Sequence, residues 1–257
     1  MLEKKAEHIL WLENIRKVFG GVVAVDDLTI GVEKGSVTSV IGPNGAGKTT
    51  VFNLITGFLS PSSGRIVYSG RALNRLRPHR IASLGIARTF QNVRLFPQMT
   101  VLENVMVGRH LRSAAGIFFS SALPPAWRRE EARIRQEAMD WLEFVGLTGH
   151  ARAIAGNLPL GSQRMLEIAR ALAIEPHLIL LDEPAAGLNS RETIAMGELI
   201  EKIRQQRMTV VLVEHDMELV MDISDRVLVI NFGRLIGDGT PEAVQDDPDV
   251  IAAYLGE

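Results

Sequence analysis

A strand-like run, Val37–Ile41, passes directly into Gly42-Pro43-Asn44-Gly45-Ala46-Gly47-Lys48-Thr49-Thr50, and this junction constrains the fold more than any other feature of the chain. Its spacing is G-x-x-x-x-G-K-[ST]. The glycines let successive backbone N–H groups converge on one point, and a helix expected over 48–55 adds partial positive charge at its N-terminus. Gly57 suits the end of that helix. Such a loop holds phosphate groups, and it needs a strand before it and a helix after it. Lys48 would reach the β- and γ-phosphates of ATP, and the Thr49 hydroxyl would ligate Mg²⁺.

Other segments extend this into a layered α/β fold. Leu178–Leu181, Val210–Val213 and Val227–Ile230 are apolar runs suited to strands covered on both faces. Two of them end on polar residues, Asp182-Glu183 and Glu214-His215-Asp216, as Val37–Ile41 ends on Gly42. In open α/β sheets ligands bind at the carboxyl ends of the strands, so the chemistry is expected along one edge. Alternating pieces from Ile9 to Val32, around Gly20-Gly21, predict a small antiparallel sheet. From Asn92 to Leu158 no strong buried strand appears. Arg129–Val145 reads as a helix with Ala138, Trp141, Leu142 and Val145 on one face, preceded by a turn at Pro124-Pro125 and stopped at Gly146. The expected organisation is one domain over 1–257. Residues 1–91 and 159–257 would form a P-loop NTPase (RecA-like) core with an antiparallel β subdomain, and 92–158 an inserted helical subdomain.

Composition removes several classes. There are 257 residues, 46% hydrophobic and 23% charged, an ordinary globular balance. A formal net charge of -2 gives no reason to expect nucleic acid as a partner. No cysteine is present, which excludes disulfides, thiol catalysis and cysteine-ligated zinc. The first residues carry scattered charges and no secretory h-region. The most lipid-like segment, Ala114 to Leu123, is too short to span a bilayer.

Asp182 at the end of its apolar strand is suited to holding Mg²⁺, and Glu183 is placed to orient or deprotonate an attacking water. His215 follows its own strand at the same edge, where an imidazole could hydrogen-bond a γ-phosphate. Gln91, at the entrance to the helical segment, could touch Mg²⁺ or the water. A strand ending in acids, a lone histidine or a lone glutamine is ordinarily a structural feature; the phosphate loop gives these three their functional reading.

These features, in this order, resemble the ATPase subunits of ABC (ATP-binding cassette) transporters, from about Leu10 to the C-terminus. The resemblance implies that Phe19 stacks on adenine, Gly42–Thr50 is Walker A, Gln91 the Q-loop and Leu178–Asp182 Walker B. It makes Glu183 the catalytic glutamate, Ala186-Gly187-Leu188-Asn189 the D-loop and His215 the switch histidine. Asn189 stands where the commoner pattern has Asp. The signature L-S-G-G-Q aligns with Leu158-Pro159-Leu160-Gly161-Ser162; Pro159 supplies neither the hydroxyl nor an N–H, so Gly161 and the following helix start remain for phosphate.

Gly85–Phe96, Met99–Val105, Ala185–Asn189, Glu214–Met217 and the tail from Gly239 are similar to the LivG-type subunits of branched-chain amino acid importers. That likeness implies a second, LivF-type ATPase, two membrane permeases and, indirectly, a periplasmic binding protein as partners. It also implies a peripheral location on the cytoplasmic face of the inner membrane. Related importers of urea, amides or aromatic acids use similar ATPases. A soluble ABC ATPase, or an unrelated P-loop kinase or GTPase, would need features not evident here: fused cassettes, a coiled-coil insertion, a basic surface, or an acceptor or guanine motif. Val93, Leu95 and Phe96, just past Gln91, are expected to meet a permease.

Overall fold

The computed structural model describes residues 8–110 and 125–255. The chain opens with two long strands, β1 (His8–Phe19) and β2 (Val22–Glu33), joined by the tight turn at Gly20-Gly21. Next come β3 (Val37–Ile41), the phosphate loop and α1 (Lys48–Ile55). Strands β4 (Ser63–Tyr68) and β5 (Arg71–Ala72), helix α2 (Pro78–Ser83) and strand β6 (Ile86–Arg88) complete the first half. A helical stretch follows: α3 (Val101–His110), α4 (Pro125–Phe144) and α5 (Leu160–Leu172). The second half alternates β7 (Leu178–Asp182), α6 (Ser190–Gln205), β8 (Thr209–Val213) and α7 (Met217–Ile223). It closes with the hairpin β9 (Arg226–Asn231) and β10 (Arg234–Gly239), then α8 (Pro241–Gln245) and α9 (Pro248–Leu255).

Two sheets result. The six-stranded sheet runs β10-β9-β3-β8-β7-β6, parallel throughout except for β10, and the four-stranded antiparallel sheet runs β2-β1-β4-β5. Strands β3, β7 and β8 are buried at every residue, which explains why their sequences read as runs rather than alternations. The antiparallel sheet recruits β4 and β5 from beyond the phosphate loop, a pairing of Leu10 with Tyr68 and Leu12 with Ile66 that local pattern could not announce.

One apolar cluster fills the space between the two sheets around α1, with Phe52, Leu10, Leu12 and Ile66 at its centre. A second lies on the opposite face of the parallel sheet under α5 and α6. A third is built from α3, α4 and α5, through Val101, Val105, Ile134, Ala138, Leu142 and Leu166. Helix α5 contributes to both of the last two: Ile168 and Leu172 face the sheet side, while Leu166, Ala169 and Ala173 just beyond it face the helices. Gly108 of α3 makes that approach close, since a Cβ there would lie 2.3 Å from the Arg170 carbonyl oxygen.

Helix α4 starts at Pro125 rather than Arg129, because proline fits a first helical turn, where no N–H is needed. Gly146, at φ 75°, ends α4 just past Phe144. Pro124 and the segment Ala114 to Leu123 lie outside the described residues. No helix among the described residues is long and apolar enough to cross a membrane.

Candidate functional site

The phosphate loop joins the two sheets. Lys48 is buried, and its Nζ donates to the carbonyls of Gly42 at 2.6 Å and Pro43 at 3.0 Å, so the loop curls around its own lysine. Gly42 has φ 148° and a Cβ there would sit 2.0 Å from the Ile230 carbonyl oxygen. Gly47, at φ 106°, presses on the Ala24 carbonyl of β2, where a Cβ would approach to 2.5 Å. Gly45 is different. It also has a left-handed φ, 82°, but open space lies above it. Helix α1 has no side-chain cap and no acidic residue in its first turn, so its leading N–H groups and positive end are left for an anion. Burial pushes the Lys48 pKa down, while the nearby Glu183 and Asp182 carboxylates push it back up.

Strands β3, β8 and β7 lie side by side, and their carboxyl ends bring the remaining groups together. Glu183 is the centre. Its Oε2 accepts from Gln91 Nε2 at 2.9 Å, and its Oε1 lies 3.1 Å from His215 Nε2. Its backbone sits at φ 51°, and its N–H donates to the Val213 carbonyl at 2.8 Å, an ordinary hydrogen bond. A non-glycine residue in that region costs about 1–3 kcal/mol, and such strain concentrates where a side chain must be aimed. His215 is half-exposed and Glu183 mostly buried. One carboxylate is thus gripped from both sides, from the end of β8 and from the segment after β6.

Asp182 is buried at the end of β7. Its Oδ2 accepts from Arg88 at 2.8 Å, and no hydrogen bond among the described residues engages Oδ1. Thr49, in the first turn of α1, is exposed. A hydroxyl and one carboxylate oxygen suit Mg²⁺, which takes one or two carboxylates plus substrate phosphates rather than an all-protein cage. Among the described residues no group of three or more His, Asp or Glu is placed to hold a metal ion.

Phe19 ends β1 beside the Gly20-Gly21 turn. It is 44% exposed, with Lys17 Nζ 4.9 Å above one face of its ring. Gly161 is not brought to the phosphate loop. It lies in the first turn of α5 against Glu192, whose Oε1 would be 2.6 Å from a Cβ at that position. Pro159 precedes that helix without a side-chain cap, whereas Asn189 and Glu192 form a reciprocal capping box on α6.

A family profile described as ABC transporter matches residues 25–186, from β2 through the acidic end of β7. The chain belongs to the ABC transporter family. As a member it is a nucleotide-binding subunit, an ATPase coupled to transport. A second profile, branched-chain amino acid ATP-binding cassette transporter, matches residues 234–257. The high-affinity branched-chain amino acid transport ATP-binding protein LivG of Salmonella typhimurium is 46% identical over 253 residues, covering 98% of this chain and 99% of that one. BraF of Pseudomonas aeruginosa, described in the same terms, is 49% identical over 250 residues, covering 97% and 98%. Among solved structures, a nucleotide-free ATP-binding cassette from an ABC transporter superposes with a TM-score of 0.85 at 32% identity, covering 97% of this chain and 100% of that one. An ABC transporter cassette in its ADP conformation gives 0.84 at 34% identity, covering 97% and 99%.

Four buried charged residues tie this site together, and sequence reasoning assigned a role to none of them. Arg88 holds Asp182. Glu214, at the end of β8, accepts from Ala185 N–H at 2.6 Å and His215 N–H at 3.0 Å, joining the loop after Glu183 to the loop carrying His215. Burial pushes its pKa up, against the pull of those N–H groups. Arg164 of α5 donates to the carbonyls of Phe90 and Ala186, and Glu167 accepts from Arg94 N–H, so α5 grips both flanks of the Gln91 segment. The available signal was a charged residue at the end of an apolar run, as in Ile86-Ala87-Arg88 and Thr209–Glu214.

Glu214→Gln keeps only one acceptor and turns an NH₂ group toward a backbone N–H. It is expected to destabilise the fold by about 1–3 kcal/mol, the cost of an unsatisfied buried donor. Urea unfolding of the full chain measures this; an unchanged midpoint would contradict the assigned contacts.

Proposed function

We propose that the chain binds Mg²⁺-ATP in the loop Gly42–Thr50 and hydrolyses it through Glu183, energising import of branched-chain amino acids. The observation that carries this reading is the grip of Gln91 and His215 on the two oxygens of Glu183, at 2.9 and 3.1 Å. A carboxylate fixed in that way is a general base waiting for its water. Lys48 and the N–H groups opening α1 would cradle the β- and γ-phosphates, with Phe19 stacking on adenine through its free face. Thr49 and Asp182, with Gln91 alongside, would hold Mg²⁺, which supplies charge neutralisation on the phosphate oxygens. His215 is placed to exchange its bond with Glu183 for one to the γ-phosphate, making the switch a competition for one imidazole.

The placement of Gly161, away from this chain's own phosphate loop, supports a site completed by another subunit's signature. Two cassettes would sandwich ATP head to tail. Pro159 weakens only the signature this chain lends, so the two sites of such a pair would be unequal, and a second, LivF-type ATPase fits better than a copy of this chain. The names of the LivG and BraF relatives support branched-chain amino acids as the cargo. Two permeases would complete the assembly, with a periplasmic binding protein delivering the solute and this subunit on the cytoplasmic membrane face. Residues 92–158 would form the helical subdomain that faces the permeases.

Within it, Leu95 packs against the helical cluster, whereas Phe96 is 46% exposed and Val93 half-buried, so the apolar anchor for a permease narrows to Phe96 with Val93 beside it. Phe96→Asp is expected to reduce recovery of the permeases in a pull-down of the assembled complex, with ATP binding retained; full recovery would remove this contact. Glu183→Gln in the assembled complex is expected to cut ATP turnover by about tenfold to a hundredfold or more, since general-base catalysis supplies about 10²–10⁴. The matching change in the partner ATPase should cost less, because its nucleotide faces the weakened signature. Near-normal turnover in Glu183→Gln would reject the assignment of the base.

A further inference from the structure

Arg88 is the least expected residue of the site. It ends β6, the edge strand of the parallel sheet, and its side chain is only 6% exposed. Each terminal nitrogen goes to a different element. Nη2 donates to Asp182 Oδ2 at 2.8 Å, while Nη1 donates to Asn53 Oδ1 of the phosphate-loop helix at 2.8 Å and to Thr56 Oγ1, at the cap of that helix, at 3.1 Å. The guanidinium lies 5.5 Å from the Phe52 ring and 5.0 Å from the Phe90 ring, which confine it. Its Nε is buried with no partner.

This arrangement is expensive as a purely structural device. A buried ion pair rarely improves on well-packed apolar side chains, and a buried donor left unsatisfied adds a further cost. Its geometry suggests what the cost supports. Thr49, Asn53 and Thr56 stand at i, i+4 and i+7, so they share one face of the segment that α1 begins. Arg88 therefore clamps the Thr49-bearing face of that helix to Asp182 with a rigid planar fork of fixed span. It takes only Oδ2 of the aspartate and leaves Oδ1 without a described hydrogen bond. Thr89, the next residue, adds a second tether: its Oγ1 accepts from Asp182 N–H at 3.3 Å.

We infer that Arg88 is a positioning residue that fixes the gap between Thr49 and Asp182, and thereby sets how tightly a small divalent cation is held between them. This rests on the reading of Thr49 and Asp182 as the Mg²⁺ ligands. Arg88 never touches the metal or the nucleotide. Lysine cannot replace it, because one ammonium group has no fork with which to reach both α1 and β7.

The test is equilibrium binding of mant-ATP to the purified full-length chain, titrated with Mg²⁺ and repeated in EDTA. Arg88→Met and Arg88→Lys are expected to raise the Mg²⁺ concentration for half-maximal effect by about 10–100-fold, the usual consequence of losing an outer-shell partner, with affinity in EDTA held within about twofold. A residue that only stabilises the fold would lower the melting temperature and leave the Mg²⁺ titration in place; that result overturns the inference. Tighter Mg²⁺ binding also overturns it, since Arg88 would then be a competing charge. Asp182→Asn separates the two readings. An unchanged Mg²⁺ response in that variant sinks the metal site itself, whereas a weakened response there beside normal Arg88 variants sinks only the clamp. Should both Arg88 variants fail to fold, the double variant Asn53→Ala with Thr56→Val removes both helix-side bonds, and its Mg²⁺ response must shift in the same direction or the inference fails.

Discussion

The phosphate loop is wedged between two sheets, and the rest of the molecule is arranged around that wedge. Gly42 has no room for a side chain against the Ile230 carbonyl, nor Gly47 against that of Ala24. Ala46 accepts from Gly233 N–H, and Gly233 in turn accepts from Asp26 N–H, at 2.8 and 2.9 Å. The antiparallel sheet is thereby pinned to the parallel one through the loop itself. Pinning has a functional consequence. The turn beside Phe19 is carried by the same strand, β2, that Gly47 touches, so an aromatic platform for a base and a cradle for phosphates are built on one rigid support.

Across the sheet edge the constraint is electrostatic. Asp182, Glu183 and Glu214 crowd three carboxylates at the ends of two neighbouring strands, and each has a different remedy. Asp182 has a buried guanidinium, Glu214 has backbone N–H groups, and Glu183 has the neutral amide of Gln91 and the imidazole of His215. Only the Glu183 partners are side chains on loops that could let go. That difference sets Glu183 apart from Glu214, which backbone N–H groups hold, and from Asp182, which a buried guanidinium holds by one oxygen. Helix α5 extends the same network, since Arg164 bonds to the backbone on either side, at Phe90 and Ala186. A shift of the Gln91 segment would be felt by the helix that presents Gly161.

Much of this was legible in the sequence because it depends on local rules. The phosphate loop demanded its strand and helix, and the fully buried strands β3, β7 and β8 announced themselves as apolar runs. Residues at their ends had to share an edge once the strands were parallel, which placed Gly42, Glu183 and His215 together. What stayed hidden depends on contacts between distant segments. Strand β4 pairs with residues some fifty positions earlier, and β6 is too short to carry a pattern. Arg88 and Glu214 looked like ordinary charges until burial and partners were known. Leu95 and Phe96, adjacent in sequence and alike in chemistry, proved to face core and solvent respectively.

The most direct measurement of the central claim is calorimetric titration of ATP and Mg²⁺ into the full-length chain and into Lys48→Ala. Lys48 curls the loop and points the charge that would meet the phosphates, so its loss is expected to weaken nucleotide binding about tenfold or more, the scale of a charge-assisted contact of about 1.5–3 kcal/mol. The circular dichroism spectrum should be unchanged. ATP affinity equal to that of the parent chain would contradict the account, because the nucleotide would then be held somewhere other than the loop on which the fold is built.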